Sequence, residues 1–254
     1  MKKVSVIVPV YNMEQYLQET LVSIAQSDYP LFEVIVVDDG STDRSLQIAR
    51  QYAASDSRFT VISQPNKGVS AARNNAVHNS KGEYILPVDA DNLIAPDYIS
   101  KAAAVLDANP QIKVVSAQAE FFGEKSGLWH LPQFSLQLLA RKNLIDTCAM
   151  YRRCDYDQTD GYCEYFTARE DWDFWLSMFE RGGDFYRLPD IGFYYRVRQN
   201  SKRIQDRKFK RQLIDNLNLR HHDFIYLQLG GPLRYHRTWS RLINRIHTFL
   251  RIPQ

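Results

Sequence analysis

The sequence predicts an α/β fold: a mostly parallel β-sheet flanked by helices, followed by a helical C-terminal extension. Three observations carry this. β-branched runs alternate with helical stripes through the first hundred residues. The early runs end in polar turn chemistry and lead into helices, and parallel strands need such long crossovers. The chain turns strongly basic near its end: 14 Lys and Arg stand against 3 Asp and Glu from Arg196 onward, with 18 against 26 before it. An acidic body with a basic tail suggests that the two parts meet different partners.

The elements follow in order. VSVIVPV is a first strand, and the segment after it places Leu17, Leu21, Ile24 and Ala25 on one helical stripe. FEVIVVDDG is a second strand. STDRSLQIARQYAAS follows as a helix, with Ser41 and Asp43 as capping residues and Leu46, Ile48, Ala49 and Tyr52 as its apolar face. FTVISQP reads as a strand, GVSAARNNAVHNSKG as a helix closed by Gly82, and EYILPVDAD as the next strand. Further on come a helix (APDYISKAAAVLDANP), a strand (IKVVSAQAEFFG) and a helix (REDWDFWLSMFERGG) with Trp172, Trp175, Leu176 and Phe179 on one face.

With 254 residues, 44% hydrophobic and 24% charged, the composition is that of an ordinary globular protein. No apolar run approaches the roughly 20 residues that span a bilayer. MKKVSVIVPVYN has the lysines of a signal peptide, but its apolar stretch is short and β-branched and no small-residue cleavage site follows. It reads as a strand, and the protein as cytoplasmic. Cys148, Cys154 and Cys163 have no C-x-x-C spacing, which suits a reduced compartment better than a disulfide framework.

Polar clusters fall where an open α/β sheet binds ligands, outside the carboxyl ends of its strands. They are Tyr11-Asn12, Asp38-Asp39-Gly40 and Asp89-Ala90-Asp91. One such cluster is a turn; three on one sheet edge make a site.

In order and spacing, VSVIVPVYN, VIVVDDGSTD, NKGVSAARN, GEYILPVDADN, MYRRCDYDQTDGY, REDWDFW and YYRVRQNS resemble the family 2 glycosyltransferases of the GT-A fold, over roughly residues 3–200. The resemblance implies a GT-A catalytic domain over 1–200, with a nucleotide-binding half (1–95) and an acceptor-binding half (96–200). Residues 201–254 are then the basic helical extension. It implies base recognition by Pro9, Tyr11 and Asp39 with Asn12 beside them, and approach of Asn66 and Arg73 to the ribose or phosphates. In the D-x-D of Asp89-Ala90-Asp91, the first Asp touches the ribose and Asp91 binds Mn²⁺ or Mg²⁺. Hard cations take oxygen ligands, and such an ion stabilises the charge on a departing diphosphate. Asp171 is the expected general base, Glu170 its orienter, and Trp172 a surface for the acceptor sugar. Arg198 stands where members often carry His; a cation remains there for phosphate, while a metal-ligand role does not.

The function implied is an inverting, metal-dependent, single-addition transfer from a nucleotide-diphosphate sugar, most frequently a UDP-sugar in this family, to a saccharide or lipid-linked acceptor. The Q-x-x-R-W motif of the processive polymerases is missing from this sequence. A nucleotide-sugar-binding protein without transfer activity is the alternative. A nucleotidyltransferase is a weaker one, because the first strand ends in PVYN rather than a Gly-rich basic loop. RTWSRLINRIHTFLR reads as a basic amphipathic helix. It suits peripheral contact with an anionic membrane face, or packing on its own domain or on the second subunit of a homodimer. No nucleic-acid motif accompanies the basic tail.

Overall fold

The computed structural model describes residues 1–166, 169–198 and 210–250. β1 (Val4–Val10), β2 (Phe32–Asp38), β3 (Phe59–Ser63) and β4 (Tyr84–Pro87) alternate with α1 (Leu17–Ala25), α2 (Ser45–Ser55) and α3 (Val69–His78). β5 (Leu93–Ile94), α4 (Tyr98–Ala108), β6 (Ile112–Gly123), β7 (Gly127–Trp129), α5 (Leu136–Leu139), β8 (Met150–Arg152), α6 (Arg153–Tyr156), α7 (Glu170–Phe179) and β9 (Asp184–Val197) follow. α8 (Lys210–Arg220), α9 (His222–Leu229) and α10 (Ser240–Leu250) close the described chain.

The strands form one sheet in the order β3-β2-β1-β4-β8-β6-β9-β5, with β7 on β6. β3, β2, β1 and β4 are parallel, and β8 pairs antiparallel with both β4 and β6. The order turns between β1 and β4, so a crevice opens at their carboxyl ends.

Alternation along each strand explains the two-sided core. Val4, Val6, Val8 and Val10 of β1 join Val34 and Val36 of β2 in a cluster with Leu17, Leu21 and Ile24 of α1. Ile7, Ile35, Val37 and Ile85 point the other way, into a cluster with Ala72 and Ala76 of α3 and Trp172, Trp175 and Phe179 of α7. Ile214, Leu217, Phe224, Ile225, Leu229 and Leu233 of the basic C-terminal segment belong to this second cluster, so α8, α9 and the turn after them pack on the same face of the sheet as α7.

Two local readings are corrected. α3 ends at His78, and Gly82 lies beyond it; a Cβ at Gly82 would sit 2.5 Å from the Ser5 amide nitrogen, so close approach to β1 explains the glycine. Ser41 and Asp43 are loop ties rather than side-chain caps of α2, whose N-cap position is Arg44. Ser41 Oγ accepts from the Asn12 amide, and Asp43 accepts from the amides of Glu14 and Ser45. Among the described residues, no helix is long and apolar enough to cross a membrane.

Candidate active site

The loops at the carboxyl ends of β1, β2 and β3 are tied into one rim. Asn12, in the left-handed region at φ 53°, accepts from the Thr42 amide at 2.8 Å. Asp39 is buried. Its Oδ1 accepts from Gln64 Nε2 and the Lys67 amide, at 2.8 and 2.9 Å, and its Oδ2 from the Gly68 amide at 2.8 Å. Three of about four lone-pair positions on this carboxylate are therefore used, leaving one on Oδ2. Gly40, at φ 76°, lets the rim close: a Cβ there would meet the Asn66 nitrogen at 2.9 Å. Pro9 is buried in β1 beside Val37, whereas Tyr11 is exposed at the rim. Asn66 is exposed there too.

Arg73 departs most from its sequence reading. It is buried on α3, with Nη2 donating to Asp89 Oδ1 at 2.8 Å and Nη1 to Glu170 Oε1 at 3.1 Å. Its guanidinium carbon lies 5.3 Å from the Tyr162 ring centroid. Burial alone would lower the guanidinium pKa; Asp89 and Glu170 outweigh it and hold the group firmly charged. Engaged on both sides, Arg73 orients the two carboxylates rather than reaching out for a phosphate. It joins the D-x-D loop to the first turn of α7.

Asp91 sits two residues on, with Ala90 buried between. Burial first, then the charge of Asp89, push its carboxyl up to about 6, against the pull of Arg198. Arg198 Nη2 lies 2.6 Å from Asp91 Oδ2, and Arg196 Nε donates to the Asp91 carbonyl at 2.9 Å. The expected phosphate cation thus holds the expected metal ligand. Among the described residues no three His, Cys, Asp or Glu side chains converge as a metal cage. Asp91 with Asp89 nearby offers instead the one or two carboxylates that Mg²⁺ or Mn²⁺ takes when phosphates and water complete its shell. A buried carboxylate that already draws a cation fits that ion.

Asp171 opens α7 beside Glu170. Asn143 Nδ2 donates to its Oδ2 at 2.6 Å, and the Trp172 amide to its Oδ1 at 2.8 Å. Burial, reinforced by the Glu170 charge, raises its pKa to about 6. Arg169 precedes this turn in the left-handed conformation at φ 61°, a position where a non-glycine residue is strained. Trp172 does not face an acceptor. It is fully buried, with its indole Nε1 donating to the Leu139 carbonyl at 2.8 Å, because its side of α7 packs into the core.

Arg73, Asp89, Glu170 and Asp171 line one cavity of about 420 Å³. Trp129 and Asp146, neither singled out from the sequence, line it too. Trp129 stacks on Phe121, with centroids 5.2 Å apart. Asp146 is buried, and neither carboxylate oxygen meets a donor at hydrogen-bonding geometry. Burial pushes its pKa up to about 7, with Arg187 and the Cys148 amide pulling down and Asp171 adding to the rise. Asp146 and Asn143 lie in a stretch with no clear periodicity. The conformation of Arg169 has no composition signal, since glycine or asparagine would have been the cue.

This fold and site define a glycosyltransferase of the GT-A class. The family model for glycosyl transferase family 2 matches residues 5–173, and the chain belongs to that family. It is 33% identical to EpsE of Bacillus subtilis strain 168, named as a glycosyltransferase, over 96% of this chain and 93% of the relative. Two further curated glycosyltransferases are covered over 18% and 34% of their own length. The crystal structure of Staphylococcus aureus TarS 1–349 in complex with UDP-GlcNAc superposes with a TM-score of 0.73 at 26% identity, covering 97% of this chain and 73% of that one. The mannosyltransferase PcManGT from Pyrobaculum calidifontis, in complex with GDP-Man and Mn²⁺, shares the fold at a TM-score of 0.68 and 21% identity, over 98% of this chain and 74% of that one.

Proposed function

We propose that this glycosyltransferase moves a sugar from a nucleotide-diphosphate donor, with UDP as the nucleotide, to one hydroxyl of a saccharide or lipid-linked acceptor, with inversion. The observation that carries the reading is the Asp89–Arg73–Glu170 bridge. It fixes the D-x-D loop against the helix turn that bears Asp171, and Asp89 of that loop lines the same cavity as Asp171. The donor reading is supported by the UDP-GlcNAc and GDP-Man complexes of the two structural neighbours.

In this reading Tyr11 packs on the base at the rim, with Pro9 and Asn12 shaping that edge. The remaining lone pair of Asp39 Oδ2 takes the imide N–H. Asn66 and Asp89 flank the ribose. Asp91, with Asp89 beside it, would hold Mn²⁺ or Mg²⁺, and such an ion would supply charge stabilisation for a departing diphosphate. Arg198, displaced from Asp91 Oδ2 when the site fills, turns to the phosphates. Asp171 keeps a lone pair on each oxygen and takes the acceptor hydroxyl proton. The acceptor oxygen then bonds to the anomeric carbon from the face opposite the diphosphate, and the bond from that carbon to the phosphate oxygen breaks. A pKa near 6 leaves Asp171 ionised yet still basic at neutral pH. Trp129, rather than Trp172, offers the acceptor an aromatic face. Residues 1–95 hold the donor, 96–200 build the acceptor side, and α8 and α9 of the basic extension buttress α7.

Calorimetric titration of UDP with and without Mn²⁺ tests the donor end. Binding should require the metal and disappear in Asp91→Ala; metal-independent binding sinks the diphosphate–metal assignment. Asp171→Asn should bind donor like the parent chain and lose transfer by at least about 100-fold, the low end of a general base's contribution. Full turnover in that variant removes Asp171 as the base.

A further inference from the structure

α10 is packed the wrong way round for a helix of a globular core. Its buried positions are Ser240 and Asn244, which hold the helix to the body by hydrogen bonds. The Arg234 amide donates to Ser240 Oγ at 2.9 Å and Arg234 Nε to Asn244 Oδ1 at 3.0 Å. Asn244 Nδ2 donates to the carbonyl of Pro232 at 3.0 Å. The apolar side chains point away: Trp239, Leu242, Ile246, Phe249 and Leu250 are between 46% and 86% exposed. Their spacing puts them on one stripe about 100° wide. A contiguous exposed patch of this kind marks a docking surface.

The charge around the stripe selects its occupant. From Gly230 to Leu250 there are four arginines and no Asp or Glu. Arg241 and Arg245 are exposed and follow the stripe along one flank, while the buried polar edge occupies the other. A second copy meeting this face about a two-fold axis would set arginine rows close to one another, because such an interface uses the same patch twice. A surface that is apolar inside and anionic outside satisfies both features, with Trp239 at the level of the headgroups.

We infer that α10 lies in the interface of an anionic lipid bilayer, with its Trp239–Leu250 stripe in the acyl boundary and Arg241 and Arg245 on lipid phosphates. The helix and the turn before it contact the segments behind Asp171. Arg241 Nη1 donates to Gln137 Oε1 at 2.9 Å on the segment bearing α5, whose Leu139 carbonyl holds Trp172. The Arg237 guanidinium lies 5.4 Å from the Trp172 ring centroid. Docking therefore brings the acceptor mouth near the membrane, whatever the transferred sugar is.

Vesicle co-sedimentation of the full chain tests this, using phosphatidylglycerol–phosphatidylcholine vesicles against pure phosphatidylcholine. Binding should be strong only to the anionic vesicles and should weaken in high salt. Replacing Arg241 and Arg245 with Gln should loosen it about fivefold per arginine. The triple change Leu242→Ser, Ile246→Ser, Phe249→Ser should abolish it while leaving thermal unfolding and UDP binding as in the parent, since all three side chains face solvent. Failure to bind anionic vesicles, or equal binding by the triple variant, overturns the inference. So does light scattering that finds a dimer of the parent chain and a monomer of the triple variant, because the stripe is then a subunit interface.

Discussion

A carboxyl removed from water holds its proton longer than a solvated one, and Asp146 is in that position. Its folded pKa of about 7 lies above the ordinary carboxyl value of 3.8 carried by the unfolded chain. Between those values the folded chain keeps a proton that the unfolded chain has released. The contribution is therefore fully favourable below about 4 and is lost as the pH rises through about 7. Asp146→Asn cannot ionise, so its stability should decline less between pH 5 and pH 8 than that of the parent chain. The expected difference is about 1–3 kcal/mol, read from thermal or denaturant unfolding at the two pH values. Parallel pH slopes would show that Asp146 is solvated in solution. Asp171 is raised in the same direction, but its readout is catalytic: kcat/KM should fall about tenfold per unit as the pH drops below 6 and the base takes up its proton.

The donor rim is held by contacts between loops, and Gly40 is the tightest of them. An alanine there would need φ 76° and would set its Cβ 2.9 Å from the Asn66 nitrogen. The left-handed conformation alone costs about 1–2 kcal/mol. Gly40→Ala should lower stability by that order and weaken UDP binding more than acceptor binding, because the loop it displaces carries the amides on Asp39. Separate titrations of the two substrates check this; equal weakening of both would show a global rather than a rim effect. Much of this half was legible from sequence. Strand alternation and the 3.6-residue stripes fix β1 to β4 and α1 to α3, and the turn clusters mark their carboxyl ends. The second half was harder to read. β8 enters the sheet between β4 and β6 although it follows both in sequence, and only long-range pairing makes that insertion. Periodicity correctly gave α7 an apolar face, yet it could not say whether Trp172 meets core or sugar. The positive charge at Arg73 likewise said nothing about its two carboxylate partners.

The sequence boundary at residue 200 separates a basic segment from an acidic one, but the core does not respect it. Ile214, Leu217, Phe224, Ile225, Leu229 and Leu233 are each 5% exposed or less, in the cluster that buries Trp172, Trp175 and Phe179 of α7. Burial of six such side chains contributes on the order of 9–18 kcal/mol, as much as the whole net stability of a typical domain. A polar knot ties the same surfaces together. His221 Nε2 lies 2.8 Å from Asp173 Oδ1, Arg220 Nε donates to that oxygen at 2.9 Å, and His221 Nδ1 pairs with Glu180. Asp173 lies on α7 and Glu180 directly after it, so the C-terminal helices hold the helix that carries Asp171. A chain ending at Arg198 should therefore fail to give a cooperatively folded enzyme, despite retaining every proposed donor residue. Far-UV circular dichroism and denaturant unfolding of that truncation check the claim, and a sharp two-state transition would refute it. Trimming only α10, from Ser240 onward, should spare most of the core but leave Leu229 and Leu233 less covered. That shorter deletion should fold with reduced stability and keep UDP binding, which separates the structural work of α8 and α9 from the surface offered by α10.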